Sequence, residues 1–322
     1  MSKQNNFFKT LTIVICFGLS ITLLSAEKYA GELFKMGSGV RNVALGRTGL
    51  TDFESTSKAY WNASLLALQE NASFEMMHAE EFGGNLQYDV LSGNIGNKSN
   101  MGFVVTRIGI DNIKLSKVPN TDSLPSNDNR PFAYKTVNNA DYILWLGFGR
   151  QVNDKLMIGL SPKIVYRNIA EENAYGFGAD ISSTWLINNK FTAAARLRDF
   201  FTTQMYYENG THEIVNPGLD LETSYVFQIP KIDKQIKVFI NSEINFENMK
   251  DAATISSGMM SLDLHSGLEI ILNPSFSLYS GYDIDHITAG FTMNYKKFNV
   301  NYSFEQNTEL DNSHRMSVGV RL

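Results

Sequence analysis

From about residue 72 onward, apolar and aromatic residues alternate with polar or small ones, and a period of two predicts strands with one greasy and one wet face. The sharpest example is Phe298, Val300, Tyr302 and Phe304 interleaved with Asn299, Asn301, Ser303 and Glu305. Stretches around Ile287–Tyr295, Ile236–Phe246 and Tyr175–Ile187 repeat it. Such runs are about ten residues long or more, enough for a tilted strand to cross a bilayer, whereas soluble strands average about five or six. Fourteen are predicted, near 72–80, 85–95, 99–109, 138–150, 155–167, 174–187, 190–200, 217–229, 235–246, 261–272, 275–283, 286–296, 298–306 and 313–322. An even number suits an antiparallel barrel with both chain ends on one side of the membrane.

The joins agree with that reading, because outer-membrane barrels alternate short periplasmic turns with longer outer loops. Tight joins fall at Gly96-Asn97-Lys98, Asn153-Asp154, Asn188-Asn189, Asn273-Pro274 and Lys296-Lys297, and long ones at 110–137, 201–216 and 247–260. Two outer joins, 81–84 and Ile284-Asp285, are short for their side. The stretch 110–137, with Pro119, Pro125 and Pro131 among many Asn and Asp residues, is the leading place for a partner to dock.

Residues 27–71 lack the strand pattern and hold Gly-rich turns with two stretches of helical character, Tyr29–Met36 and Thr56–Leu68. A wide barrel leaves interior space that wall side chains do not fill, so this segment is expected either to plug the lumen or to extend as periplasmic helices. Residues 1–26 carry Lys3 and Lys9, an apolar run from Leu11 to Leu24 and a Ser25-Ala26 end, the layout of a cleaved signal peptide. The expected location is therefore the bacterial outer membrane, with the barrel proper over 72–322.

Composition removes several classes of function. The lone cysteine, Cys16, lies inside the leader, behind bulky Ile15 and with apolar residues continuing past it, which argues against a lipoprotein and leaves the mature chain without thiol chemistry. Loss of Lys3 and Lys9 takes Lys+Arg from 28 to 26 against 33 acids, so the net charge moves from -5 to -7. Such a chain has no overall attraction for nucleic acid.

Three parts of the chain carry a resemblance to a known family. Ala30–Arg41 with Ala44–Gly49 resembles the opening of the PorV/PorQ family of outer-membrane barrels. Ala59-Tyr60-Trp61-Asn62-Ala63 resembles its next signature, with Ala63 in place of a proline, and Asn312–Leu322 resembles its closing strand, ending in Leu322 where an aromatic is usual. The alternating Met316, Val318, Val320 and Leu322 keep an apolar face for the barrel-assembly machinery. The resemblance implies a fourteen-stranded barrel like the fatty-acid transporter FadL, with Gly37, Gly39, Arg41, Gly46, Gly49, Tyr60, Trp61 and Asn62 as motif residues of the plug. It implies two roles. One is a type IX secretion component that binds or shuttles exported cargo proteins, which is the preferred expectation. The other is FadL-like uptake of hydrophobic small molecules such as long-chain fatty acids.

Catalytic chemistry finds no foothold. His78, His212, His265, His286 and His314 are scattered, and the nearest approach to a ligand set, Asp283-Asp285-His286, falls where turn-forming acids are common. The Gly37-Ser38-Gly39 and Gly46 spacing fits neither a dinucleotide nor a Walker loop, and no Gly-x-Ser-x-Gly elbow occurs. The expectation is a non-enzymatic protein without metal or cofactor. Charges in hydrocarbon are costly, so period-two placement turns Lys163, Arg167, Asp180, Asp220, Glu222, Lys237, Glu243, Asp263, Glu269, Glu305, Arg315 and Arg321 toward the lumen. There they form either a solvated wall of paired charges or a permeation path.

Overall fold

The computed structural model describes residues 31–96, 99–170, 172–230, 234–307 and 311–322; the leader expected over 1–26 lies outside them. Its strands are β1 (Ser73–Glu81), β2 (Leu86–Ile95), β3 (Met101–Lys117), β4 (Phe132–Asn153), β5 (Leu156–Ile169), β6 (Glu172–Leu186), β7 (Phe191–Arg198), β8 (Thr203–Tyr207) and β9 (His212–Val215). They continue as β10 (Gly218–Ile229), β11 (Lys234–Asn245), β12 (Ile255–Ser257), β13 (Met260–Asn273), β14 (Phe276–Asp283), β15 (His286–Tyr295), β16 (Phe298–Glu305) and β17 (Ser313–Arg321). Fourteen of them, all but β8, β9 and β12, close one antiparallel ring, with β1 pairing both β2 and β17. No helix of the described residues is long and apolar enough to cross a membrane. The strands make the crossing, and a closed ring is the form in which strands leave no backbone group unpaired in lipid.

Register fixes the membrane level. Met76, Leu91, Val105, Leu144, Ile164 and Phe177 are successive cross-strand partners on the outer face, a wholly apolar row. One step outward the row reads His78, Asp89, Arg107, Tyr142, Tyr166, Tyr175, Tyr206 and His212. One step further it reads Glu80, Gln87, Gly109, Ala140, Asn168 and Asn173. The polarity changes across a single belt rich in tyrosine, the usual mark of the hydrocarbon boundary.

The long outer loops carry structure of their own. Half of 110–137 is an extension of β3 and β4, paired out to Lys117↔Phe132, and the other half, 118–131, is a loop gathered around Asn129, whose Nδ2 donates to the carbonyls of Asn120 and Ser123. Above the membrane both faces of this arm are wet, so no period of two marks it in the sequence. Segment 201–216 holds the β8–β9 hairpin, and 247–260 holds a 3-10 turn and β12. The two short outer joins are tight turns, with φ +54° at Phe82 and +56° at Ile284.

A kink breaks one strand. At Asp199–Thr202 the chain leaves β7, with φ +49° at Asp199 and +69° at Thr202, then resumes as β8. Below the kink β7 bridges β6 and β10; above it β8 keeps to β6 on one side and pairs β9 on the other. Among the described residues no ladder joins β9 to β11, so the outer part of the wall has a seam there.

Candidate functional site

Residues 31–71 fill the lumen with short helices, a 3-10 turn at Glu32–Lys35, α-helical turns at Val40–Ala44 and Lys58–Trp61, and a 3-10 helix at Ala63–Leu68. The expected helical stretches are thus broken into turns, and Val40–Ala44 was not foreseen. Gly37, Gly39 and Gly46 take φ of +77°, +81° and +67°, values that glycine adopts freely. Gly46 lies against the wall so closely that a Cβ on the facing Gly281 would come within 2.1 Å of its nitrogen. Gly49 packs on the Trp61 ring, where a Cβ would sit 2.6 Å from the indole.

The plug meets two different walls. Toward β1–β5 it is apolar: Phe34, Val40, Tyr60 and Trp61 form one cluster with Met77, Tyr88, Val90, Val104, Ile143, Trp145 and Val165. The Tyr60 ring stands 5.1 Å from Trp145 and 4.9 Å from Trp61, both edge-on. Hydrogen bonds satisfy the polar tips: Tyr60 donates to the Phe34 carbonyl at 2.6 Å, Trp61 Nε1 to the Ser38 carbonyl at 2.6 Å, and Asn62 Nδ2 to the Leu50 carbonyl and Thr184. The expectation of a uniformly wet lumen is corrected on this side, because wall residues facing a plug are buried by it and need not meet water.

Toward the other strands the plug is held by charge. Arg41 forks onto Asp52 of the plug (2.8 and 3.1 Å) and onto Glu269 of β13 (2.6 and 2.7 Å), and donates to the Tyr279 hydroxyl at 2.7 Å. Glu222 of β10 accepts the backbone N–H groups of Gly49, Leu50 and Thr51 at 2.9, 3.1 and 2.7 Å and the Thr51 hydroxyl at 2.6 Å, a nest that neutralises the carboxylate with amides. Arg47 contacts Asp283 at 2.6 Å and Glu305 at 3.2 Å. Arg315 contacts Glu81 at 2.8 Å and donates to the Met36 carbonyl at 2.9 Å. Although burial pushes the Asp52 carboxyl upward, the Arg41 guanidinium beside it holds it below the usual range. Burial pushes the Lys58 ammonium down to about 8, against the pull of Asp52 and Glu54.

Most of the expected inward charges therefore point inward, but into pairs. Lys163 bridges Asp180 (3.1 Å) and Asp199 (2.6 Å) at the kink, Arg167 forks onto Asp141, and Asp220 and Glu243 share Arg198, with Arg196 also on Asp220. Lys237 donates to the Thr51 carbonyl and lies 4.6 Å from the Phe239 ring centre. Arg321 is half-exposed at the end of β17, lines the cavity there and pairs with Glu54 of the plug at 2.9 Å. Sequence reasoning passed over Arg47, Arg196 and Arg198, although Arg47 lay within the quoted motif. Asp283, His286 and Glu305 bring donor atoms within 4.8 Å of one another, and the Arg47 guanidinium already neutralises two of the three. Asp285 is largely exposed and contacts His286 beside it, at 3.2 Å.

Three cavities of 200 Å³ or more lie beside the plug among the described residues. One of about 360 Å³ opens on the side of Asn273, Pro274 and Arg321, the periplasmic ends of the strands, and one of about 250 Å³ lies near it between Glu54, Lys58 and Arg321. The third, about 200 Å³, lies at the outer ends between Phe34, Tyr60 and Trp61 of the plug and Met249, Asp263 and His265 of the wall. A narrow space of about 30 Å³ at the seam between β9 and β11 is lined by Phe34, Val215, Phe246 and Met249 together with the charged Glu32, Lys35, Arg198 and Asp199.

A closed fourteen-stranded antiparallel ring with a resident plug and a tyrosine belt defines an outer-membrane β-barrel. Solved structures share that fold. The toluene transporter TodX of Pseudomonas putida superposes with a TM-score of 0.55 at 12% identity, covering 88% of this chain and 98% of its own. The toluene transporter TbuX of Ralstonia pickettii gives 0.52 at 11%, covering 88% and 97%. The chain thus has the FadL-like barrel fold. No family model matches the sequence, and no curated protein matches it.

Proposed function

We propose that this protein is a non-enzymatic outer-membrane conduit for small hydrophobic solutes, with an N-terminal leader over residues 1–26 that directs export. The observation carrying this reading is the seam. The plug, tied down at Arg41, Arg47 and Glu222, obstructs the axis, while the vestibule and the narrow space beside Val215 and Met249 lie against the wall where, among the described residues, no ladder joins β9 to β11. A solute entering from outside leaves through that seam. TodX and TbuX, toluene transporters of the same barrel fold, support the choice of small apolar solutes. The test is toluene uptake by cells expressing the wild type or Met249→Trp, which fills the seam. Uptake that falls to the vector background in the variant supports the reading, and uptake unchanged by the variant refutes it.

The cargo-binding role in type IX secretion implied by the sequence resemblance has one feature in its favour, the β3–β4 arm standing beyond the belt with its ordered tip around Asn129. Pull-down of secreted proteins by the purified barrel, lost when residues 118–131 are replaced by a short turn, is the result that reading requires.

A further inference from the structure

The periplasmic rim carries cations that the barrel itself does not match. In the lumen, Arg41, Arg47 and Arg198 each contact a carboxylate. On the lipid side, the arc from β4 to β7 has no such pairing. Arg150 stands exposed on the outer face of β4, in line with the exposed Leu146, Phe148 and Val152, and its cross-strand partner is the exposed Ile158. Lys155 and Lys190 lie exposed in the next two periplasmic turns. Each turn closes onto the strand beyond it, the Leu186 N–H donating to the Lys155 carbonyl at 2.8 Å and the Val226 N–H to the Lys190 carbonyl at 2.9 Å. Among the described residues, none of these three side-chain cations has an ion-pair or hydrogen-bond partner. The only acid in the two turns, 153–155 and 187–190, is Asp154.

A cation on the lipid-facing side of a wall does not stay in hydrocarbon; its long side chain carries the charge to the headgroup layer. Trp185 marks that layer here, pairing with Leu156 just inside the Lys155 turn, since tryptophan collects at the membrane–water boundary. With no carboxylate of the protein to meet, the three cations are matched by negative charge in the headgroups. A zwitterionic headgroup brings its own ammonium beside its phosphate, whereas an anionic one brings a net charge. The clustering stands out in a chain whose net charge is -5.

We infer that the periplasmic arc from β4 to β7 binds anionic phospholipid, with headgroup phosphates on Arg150, Lys155 and Lys190 and acyl chains against Trp185 and Phe227. The surface lies outside the lumen, so it does not depend on what the barrel conducts.

The chain supplies its own reporter. Of its tryptophans, Trp61 and Trp145 are 5% and 2% exposed inside the plug cluster, whereas Trp185 is 45% exposed toward lipid, so fluorescence quenching by lipids brominated on the acyl chain reads the surroundings of Trp185. The full chain is reconstituted in mixed vesicles of phosphatidylglycerol and phosphatidylcholine, with the bromine on one lipid or on the other, and the two quenching curves give their relative affinity at that place. Phosphatidylglycerol is expected to be favoured by about fivefold, roughly the attraction of one cation near an anionic surface. The preference should fall toward unity in the triple variant Arg150→Gln, Lys155→Gln, Lys190→Gln. Lys296→Gln with Lys297→Gln, in the β15–β16 turn on the opposite side of the ring, should leave it unchanged. Equal affinity for the two lipids in the wild type overturns the inference without need of a variant. So does a preference that the folded triple variant retains, or one that the distant pair removes equally well, which would assign it to diffuse charge.

Discussion

Arg41→Leu tests the electrostatic anchoring of the plug most severely. The guanidinium stands between two carboxylates, Asp52 and Glu269, whose side chains are 0% and 5% exposed. Removing it strands both charges, and losing one partner of a buried pair costs about 3–5 kcal/mol because the other is left uncompensated. The barrel has its own closed ladder, so the loss should fall on plug docking. The assay is trypsin cleavage at Arg47 and Lys58, which the docked plug buries or nearly buries. When opening is faster than cleavage, the rate follows the open population, and that free energy raises it by about 10²–10⁴-fold. The triple variant Arg41→Leu, Asp52→Leu, Glu269→Leu should recover most of the protection, since Arg41 and both its carboxylates are removed together. Cleavage unchanged in the single variant, or greater in the triple, would refute the reasoning.

Three further outcomes follow from the plug's packing. Trp145→Ala empties the aromatic cluster under Tyr60 and should lower stability by about 3–5 kcal/mol, read as a urea-midpoint shift. Gly281→Val drives a side chain onto the Gly46 backbone, so it should expose the plug to trypsin while leaving the β-sheet circular dichroism unchanged; full protection would show that the close approach is not required. The Lys58 ammonium, depressed from 10.5 to about 8, opposes docking by up to ~3 kcal/mol below pH 8, a penalty that fades as pH rises toward 10.5. Plug protection should therefore rise between pH 8 and 10.5 in the wild type and stay flat, at the higher level, in Lys58→Met.

Strand existence was legible because lipid outside and plug or water inside impose a period of two. The run predicted at 298–306 is Phe298–Glu305, and that at 286–296 is His286–Tyr295. What escaped is instructive. The arm of β3 and β4 lost its period above the belt, where neither face meets lipid. The inner apolar surface was hidden because period-two reading assigns each strand only one greasy face, yet Tyr142–Phe148 is apolar throughout apart from Gly147 and places Ile143 and Trp145 against the plug. That unbroken run was the signal that something other than water fills the lumen. Arg41 was visible as a motif residue, but its carboxylate partner lies 228 positions away, at a separation that no local pattern reveals.

On the proposed function, the N-terminal segment seals the barrel axis and solutes pass through the wall instead. The sharpest test is planar-bilayer conductance of the wild type beside a variant lacking residues 31–71. The wild type is expected to carry no sustained ionic current and the deletion variant to form large, steady pores; equal, porin-like currents in both would refute the proposal.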